Sequence, residues 1–121
     1  MSRAYCMFVR VRDYKPDRVP AIKEAAERVW PFEGWLQSPE ELTACADSCL
    51  CGGQTEREFA EELAQEIWAA HQGFCPIDVT ATFLEDLPHE DYYLEADDYQ
   101  RLMSLYDAAN EGRVAQGEHD G

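Results

Sequence analysis

The chain has 121 residues, one domain of common size, and is long enough to bury a core without covalent staples. Its hydrophobic fraction of 45% excludes a disordered acidic tail. Its net charge of −15 argues against direct contact with nucleic acid. No apolar run approaches the roughly 18 residues of a membrane span, and residues 1–5 lack the apolar stretch of a secretory signal. The expected location is therefore cytoplasmic, with no membrane contact. Five cysteines, an odd number, then read as free thiols and not as a disulfide framework.

The charge is unevenly spread. Residues 1–30 hold seven bases and four acids, a net of +3, while the other 91 residues carry −18. The bland explanation of that block is solubility.

Residues 5–12 alternate. Tyr5, Met7, Val9 and Val11 share one face, and Cys6, Phe8, Arg10 and Arg12 the other, which predicts a half-buried strand. Asp17 is placed to cap a following helix, with Pro20 in its first turn. Val19, Ile22, Ala26, Val29 and Trp30 recur at helical spacing, and Pro31 stops the run. Residues 34–36 suggest a short strand, Ser38-Pro39-Glu40 a turn, and residues 42–50 a further strand before Gly52-Gly53. Thr55-Glu56-Arg57-Glu58 has the form of a capping box. It opens a second helix with Phe59, Leu63, Ile67 and Ala70 as core stripe and Gly73 as stop. Residues 77–84 alternate again, with Ile77, Val79, Ala81 and Phe83 inward. An acidic loop follows. Asp97 then opens a third helix that would bury Tyr99, Leu102, Met103, Leu105, Tyr106 and Ala109.

This order predicts an α+β fold, the ferredoxin-like split β-α-β-β-α-β antiparallel sheet with an extra C-terminal helix. Residues 1–110 form one domain and residues 111–121 a flexible tail. Both helices would pack on one sheet face, leaving Phe8, Arg10, Thr80 and Thr82 on the other.

Glu58, Glu61, Glu62 and Glu66 fall in one arc of the second helix, opposite its core stripe. They span about 12 Å at 1.5 Å per residue, a length over which one DNA strand presents about 3.5 phosphates. Glu85, Asp86, Glu90, Asp91, Glu95, Asp97 and Asp98 form a second acidic group. Together these carboxylates are candidates for docking on a basic groove. The competing reading is an ordinary solvated helix face beside an acidic loop.

Cys45, Cys49 and Cys51 would share one strand face, with His71 and Cys75 further on. A zinc site on Cys45, Cys49, Cys51 and Cys75 is an alternative, although a clean second C-x2-4-C pair is missing. His71 with Cys75, and His89-Glu90-Asp91, are the only sequence-near arrangements that suggest catalysis. No P-loop, dinucleotide fingerprint or hydrolase motif is present. No cofactor and no enzymatic activity are expected. Phe8 with Arg10 could offer bases a stacking surface, but the net charge favours a homodimer through that face.

The runs LCGGQTEREF over 50–59 and GFCPIDVTATFLEDLP over 73–88 resemble small uncharacterised proteins carried by phages and integrative elements of bacteria. The likeness covers about the central third of the chain and implies no catalytic residues. It implies a character similar to anti-CRISPR and anti-restriction inhibitors, some of which present carboxylates as partial DNA mimics. The expected function is thus a non-enzymatic inhibitor or adaptor, docking an acidic face on a basic, nucleic-acid-binding host protein. The alternatives are a zinc- or thiol-containing module, or a homodimer whose acidity serves only solubility.

Overall fold

The computed structural model describes residues 3–50, 54–84 and 89–120, with side chains over 4–50, 54–84 and 90–108. The elements are β1 (Arg3–Arg12), a 3-10 turn (Pro16–Arg18), α1 (Val19–Val29), β2 (Glu33–Gln37), β3 (Glu41–Leu50), α2 (Glu56–His71), β4 (Ile77–Phe83), β5 (His89–Leu94) and α3 (Ala96–Asp120). The strands form one antiparallel sheet in the order β2-β3-β1-β4-β5.

β1 sits at the centre because it pairs along nearly its whole length with β3 and again with β4. Its apolar face dictates where the helices go. Tyr5, Met7, Val9 and Val11 are fully or almost fully buried, against Ile22 and Ala26 of α1 and Leu63 and Ile67 of α2 in one core. Each buried Val, Leu or Ile side chain contributes roughly 1.5–3 kcal/mol of transfer free energy. Aromatic contacts tie the layers together. Trp30 meets Phe59 edge-on at 5.0 Å, and its indole N–H donates to the Ala46 carbonyl of β3 at 2.9 Å. Trp68 packs on Phe74 and Tyr99, and donates to the Cys75 carbonyl at 2.7 Å.

The middle hairpin forms as expected. Ser38 closes its turn: its hydroxyl oxygen accepts from Glu41 N, and its own N–H donates to the Glu41 carbonyl. Gly34 sits at φ +67°, where the β2–β3 register shifts. That left-handed backbone suits glycine because it lacks a Cβ.

Several expectations are corrected. The stretch read as an acidic loop contains β5, so Glu90 and Asp91 are strand residues. Its signal was the alternation of Tyr92 and Leu94, and Leu94 is buried. Asp17 lies in the 3-10 turn; the residue before α1 is Arg18, without a side-chain cap. α3 begins at Ala96, and Asp98, not Asp97, reaches back to accept from Glu95 N at 3.1 Å. On α3 Leu102 is buried, whereas Leu105 is 61% exposed. Ala109 lies outside the described side chains, and the backbone over 111–120, read as a tail, continues α3.

α2 ends in an unusual way. The left-handed residue after His71 is Gln72 (φ 63°), one position before the expected Gly73. A non-glycine residue there carries steric cost. Gln72→Gly should raise stability by about 1 kcal/mol, read from denaturant midpoints. Trp68→Ala, by contrast, removes a fully buried indole and should cost about 3–5 kcal/mol in the same measurement.

Candidate acidic surface and the open sheet face

The N-terminus of α2 is built as the capping box requires. Glu58 N donates to Thr55 Oγ1 at 3.0 Å, and Thr55 N donates to Glu58 Oε1 at 2.9 Å. Glu58 therefore has a local task before any other. Carboxylates in a first helical turn also meet the positive end of the helix dipole. The same physics accounts for Glu56 on α2 and for Asp97 and Asp98 on α3.

The arc of four glutamates is real, but its flanks are occupied. Glu61 lies on the α3 side, where Arg57 Nε donates at 3.2 Å and Arg101 Nη2 at 3.0 Å. Arg101 also donates to Asp98 at 3.2 Å, so Arg57, Glu61, Arg101 and Asp98 form one cluster joining α2 to α3. The two carboxylates hold the Arg101 guanidinium more firmly protonated than usual, through their hydrogen bonds first and their charge second. Glu66 lies on the opposite flank, 3.8 Å from Arg28 of α1. Glu62 stays exposed near the middle and accepts from Gln54 at 2.8 Å.

The second acidic group is split by the sheet. Glu85 and Asp86 lie outside the described residues. Asp91 stands beside Thr80 and accepts from its hydroxyl at 2.7 Å, on the face away from the helices. Glu90, one residue earlier, points to the helix side. There burial, then Glu56 and Glu90, push the Tyr92 hydroxyl up from its ordinary pKa. Glu90, Glu56, Glu58, Glu62, Glu95 and Asp97 thus belong to the strand and helix starts on this side, beside the exposed Arg57 and Arg101.

The cysteines do not assemble. Cys45 and Cys49 are exposed on β3, four residues apart and so about 13 Å along the strand. Cys75 is completely buried on the other side of the sheet, and Cys51 lies outside the described residues. The set Cys45, Cys49 and Cys75 cannot share a tetrahedral ion with bonds near 2.3 Å. Cys6 lies on the open face, where burial and then the Asp47 carboxylate push its thiol up to about 11.

His71 and Cys75 likewise make no thiol pair. Lys15 N donates to His71 Nε2 at 2.9 Å, so Nδ1 carries the proton and donates to the Gly73 carbonyl, also at 2.9 Å. Both ring nitrogens of this buried side chain are committed to holding the β1–α1 connection against the end of α2. Burial pushes the Cys75 thiol up to about 12, which keeps it from forming the nucleophilic thiolate.

An ion pair that sequence reading did not find lies on the open face. Asp78 stands opposite Arg10 on the outward side of β4, yet it is 6% exposed. Arg10 donates to Asp78 Oδ2 from Nε at 3.0 Å and Nη2 at 2.6 Å, and Arg12 donates to Oδ1 at 3.3 Å. The available signal was charge patterning: two arginines on the outer face of β1, and an acid in an otherwise uncharged strand. Arg10 is more firmly protonated for it, chiefly through that hydrogen bond.

Among the described residues, no group of three or more His, Cys, Asp and Glu side chains could hold a metal ion, and no helix is long and apolar enough to cross a membrane. Comparison with family models, curated proteins and solved structures finds no match.

Thiol chemistry gives a direct check. At about pH 8 an alkylating reagent should label Cys45 and Cys49 first and Cys6 more slowly, with Cys75 reacting only on unfolding. The linkage sign follows. Cys75 ionises near 9 when unfolded but near 12 when folded, so the unfolded chain loses its proton first. Stability should therefore fall as pH rises through that window, and Cys75→Ala should reduce the slope.

Proposed function

We propose that this chain is a non-enzymatic binding protein that docks an acidic surface on a basic, nucleic-acid-binding partner in the cytoplasm. In character it would resemble an anti-CRISPR or anti-restriction inhibitor and act as a partial DNA mimic. The observation that carries this reading is the surface from Glu90 over Glu62 to Asp97. Glu58, Glu62, Glu90, Glu95 and Asp97 are exposed and Glu56 half-buried, while Arg57 and Arg101 pin the neighbouring Glu61 and Asp98. Such pinning holds the two helix N-termini in a fixed relation. A rigid set of charges loses less entropy on binding than one carried on mobile elements.

The strip is narrower than the sequence implies, because Glu61, Glu66 and Asp98 already have arginine partners. That favours one basic strip on the partner over a whole DNA-binding cleft. We read the first four strands, ordered β2-β3-β1-β4, as the split β-α-β, ferredoxin-like arrangement, to which β5 and α3 are additions. The reading rests on that strand order, and the additions matter because they bring Glu90, Glu95 and Asp97 beside α2.

The test uses Glu62→Lys, Glu90→Lys and Asp97→Lys together, which spares the Glu58 cap and the Glu61 cluster. The wild-type chain should retain basic proteins from a cell lysate at about 50 mM salt and release them near 500 mM, where screening is short-ranged. The triple variant should retain none while keeping its circular dichroism and melting temperature. Retention that survives both the reversal and high salt would refute the acidic surface and leave solubility as the reason for these charges.

A further inference from the structure

His71, the last residue of α2, is 1% exposed. Histidine is the side chain whose ordinary charge change falls near neutral pH. Both of its hydrogen bonds here are to backbone. Nε2 accepts from Lys15 N and Nδ1 donates to the Gly73 carbonyl, each at 2.9 Å. Only a neutral ring makes that pair of bonds, because an imidazolium carries N–H on both nitrogens and accepts at neither. A proton on Nε2 would face the Lys15 N–H, donor against donor. Buried donors without acceptors, and a buried charge without a partner, are both costly.

The surrounding charges do not relieve that conflict. Residues 13–18 carry Asp13, Lys15, Asp17 and Arg18. Lys15 Nζ donates to the Gln72 carbonyl at 3.1 Å and Arg18 Nη2 to the Gln72 side chain, so both cations turn toward the end of α2. Asp13 and Asp17 are exposed to water. Arg12, at the end of β1, is taken up by Asp78. Cys75, buried ahead of β4, keeps its proton, because burial pushes its thiol up to about 12. Among the described residues no carboxylate bonds to the ring. What draws a proton in is the C-terminal end of the α2 dipole, which favours a cation in the last turn.

The segment that such a proton would release is short. Tyr14 is held separately, its hydroxyl donating to the Ser38 carbonyl at 2.5 Å. Val19, Ile22 and Ala26 keep α1 in the core. The 3-10 turn between them contains no buried residue. Its other ties to α2 are the exposed bonds to Gln72, which exchange for water at little net cost.

We infer that His71 is an acid-released clasp: protonation at Nε2 breaks its bond to Lys15 N and frees residues 15–18 from the end of α2, while the sheet and α1 stay folded. The charge background runs the other way. Acid reduces the net charge of −15, and with it the self-repulsion that opposes the compact state. An opening confined to this turn that grows as pH falls is therefore a signature of the clasp.

Amide exchange and imidazole nitrogen shifts of the full chain, followed by NMR from about pH 8 to about pH 5.5, test it. The ring nitrogens of His71 should move to their protonated values. In the same transition the protection factor of the Lys15 amide should fall at least about tenfold, with Val9 and Ile67 unchanged. His71→Gln keeps an acceptor but takes no proton, so its Lys15 protection should not vary with pH. A ring that protonates while Lys15 stays protected would overturn the clasp. So would a ring still neutral at the acid end, a loss of protection shared by Val9 and Ile67, or a folded His71→Gln chain that opens with acid as the wild type does. If His71→Gln does not fold, the wild-type titration decides alone.

Discussion

The pairing of β1 on both of its edges decides which side chains of this molecule can meet. A strand hydrogen-bonded to β3 and β4 at once cannot slip by one residue without sending Met7, Val9 and Val11 into water. Register is thereby set across the inner sheet. Both helices must lie on the single apolar face. The other face receives Phe8, Arg10 and Arg12 together, and brings Asp78 into their reach. The buried histidine serves the same frame, since His71 holds the backbone leaving β1 to the end of α2.

The acidity divides into parts with different physical causes. Glu58 completes a cap, and Glu56, Asp97 and Asp98 occupy first turns where carboxylates are favoured. Glu61 and Glu66 bridge α2 to its neighbours through arginines. Glu62 and Glu90 have no such terminal role, and they carry most of the case for a binding surface.

Much was legible along the chain because it is local. The period-two alternation of β1 and β4, the capping box at Thr55, and the stripe Phe59-Leu63-Ile67 are all read within a few residues. β5 was missed because His89, Glu90 and Asp91 suit a loop. Only pairing with β4 compensates their poor strand preference, and that partner cannot be seen in the segment itself. Asp17 was misplaced as a cap because a 3-10 turn intervenes, a difference of one residue in a short polar segment. The free ends of Glu61, Glu66 and Asp98 looked available because Arg28, Arg57 and Arg101 belong to other helical turns or other helices.

The sequence by itself determined the elements other than β5, the one-sided core and the excess of negative charge, since these follow from neighbours along the chain. Tertiary structure alone decided that Cys45 and Cys75 lie on opposite sides of the sheet and that Asp78 is buried between two arginines. It also decided that the acidic face is narrower than its letters suggest. The reason is the same in each case: burial and charge pairing depend on distances across strands and helices, which sequence separation does not encode.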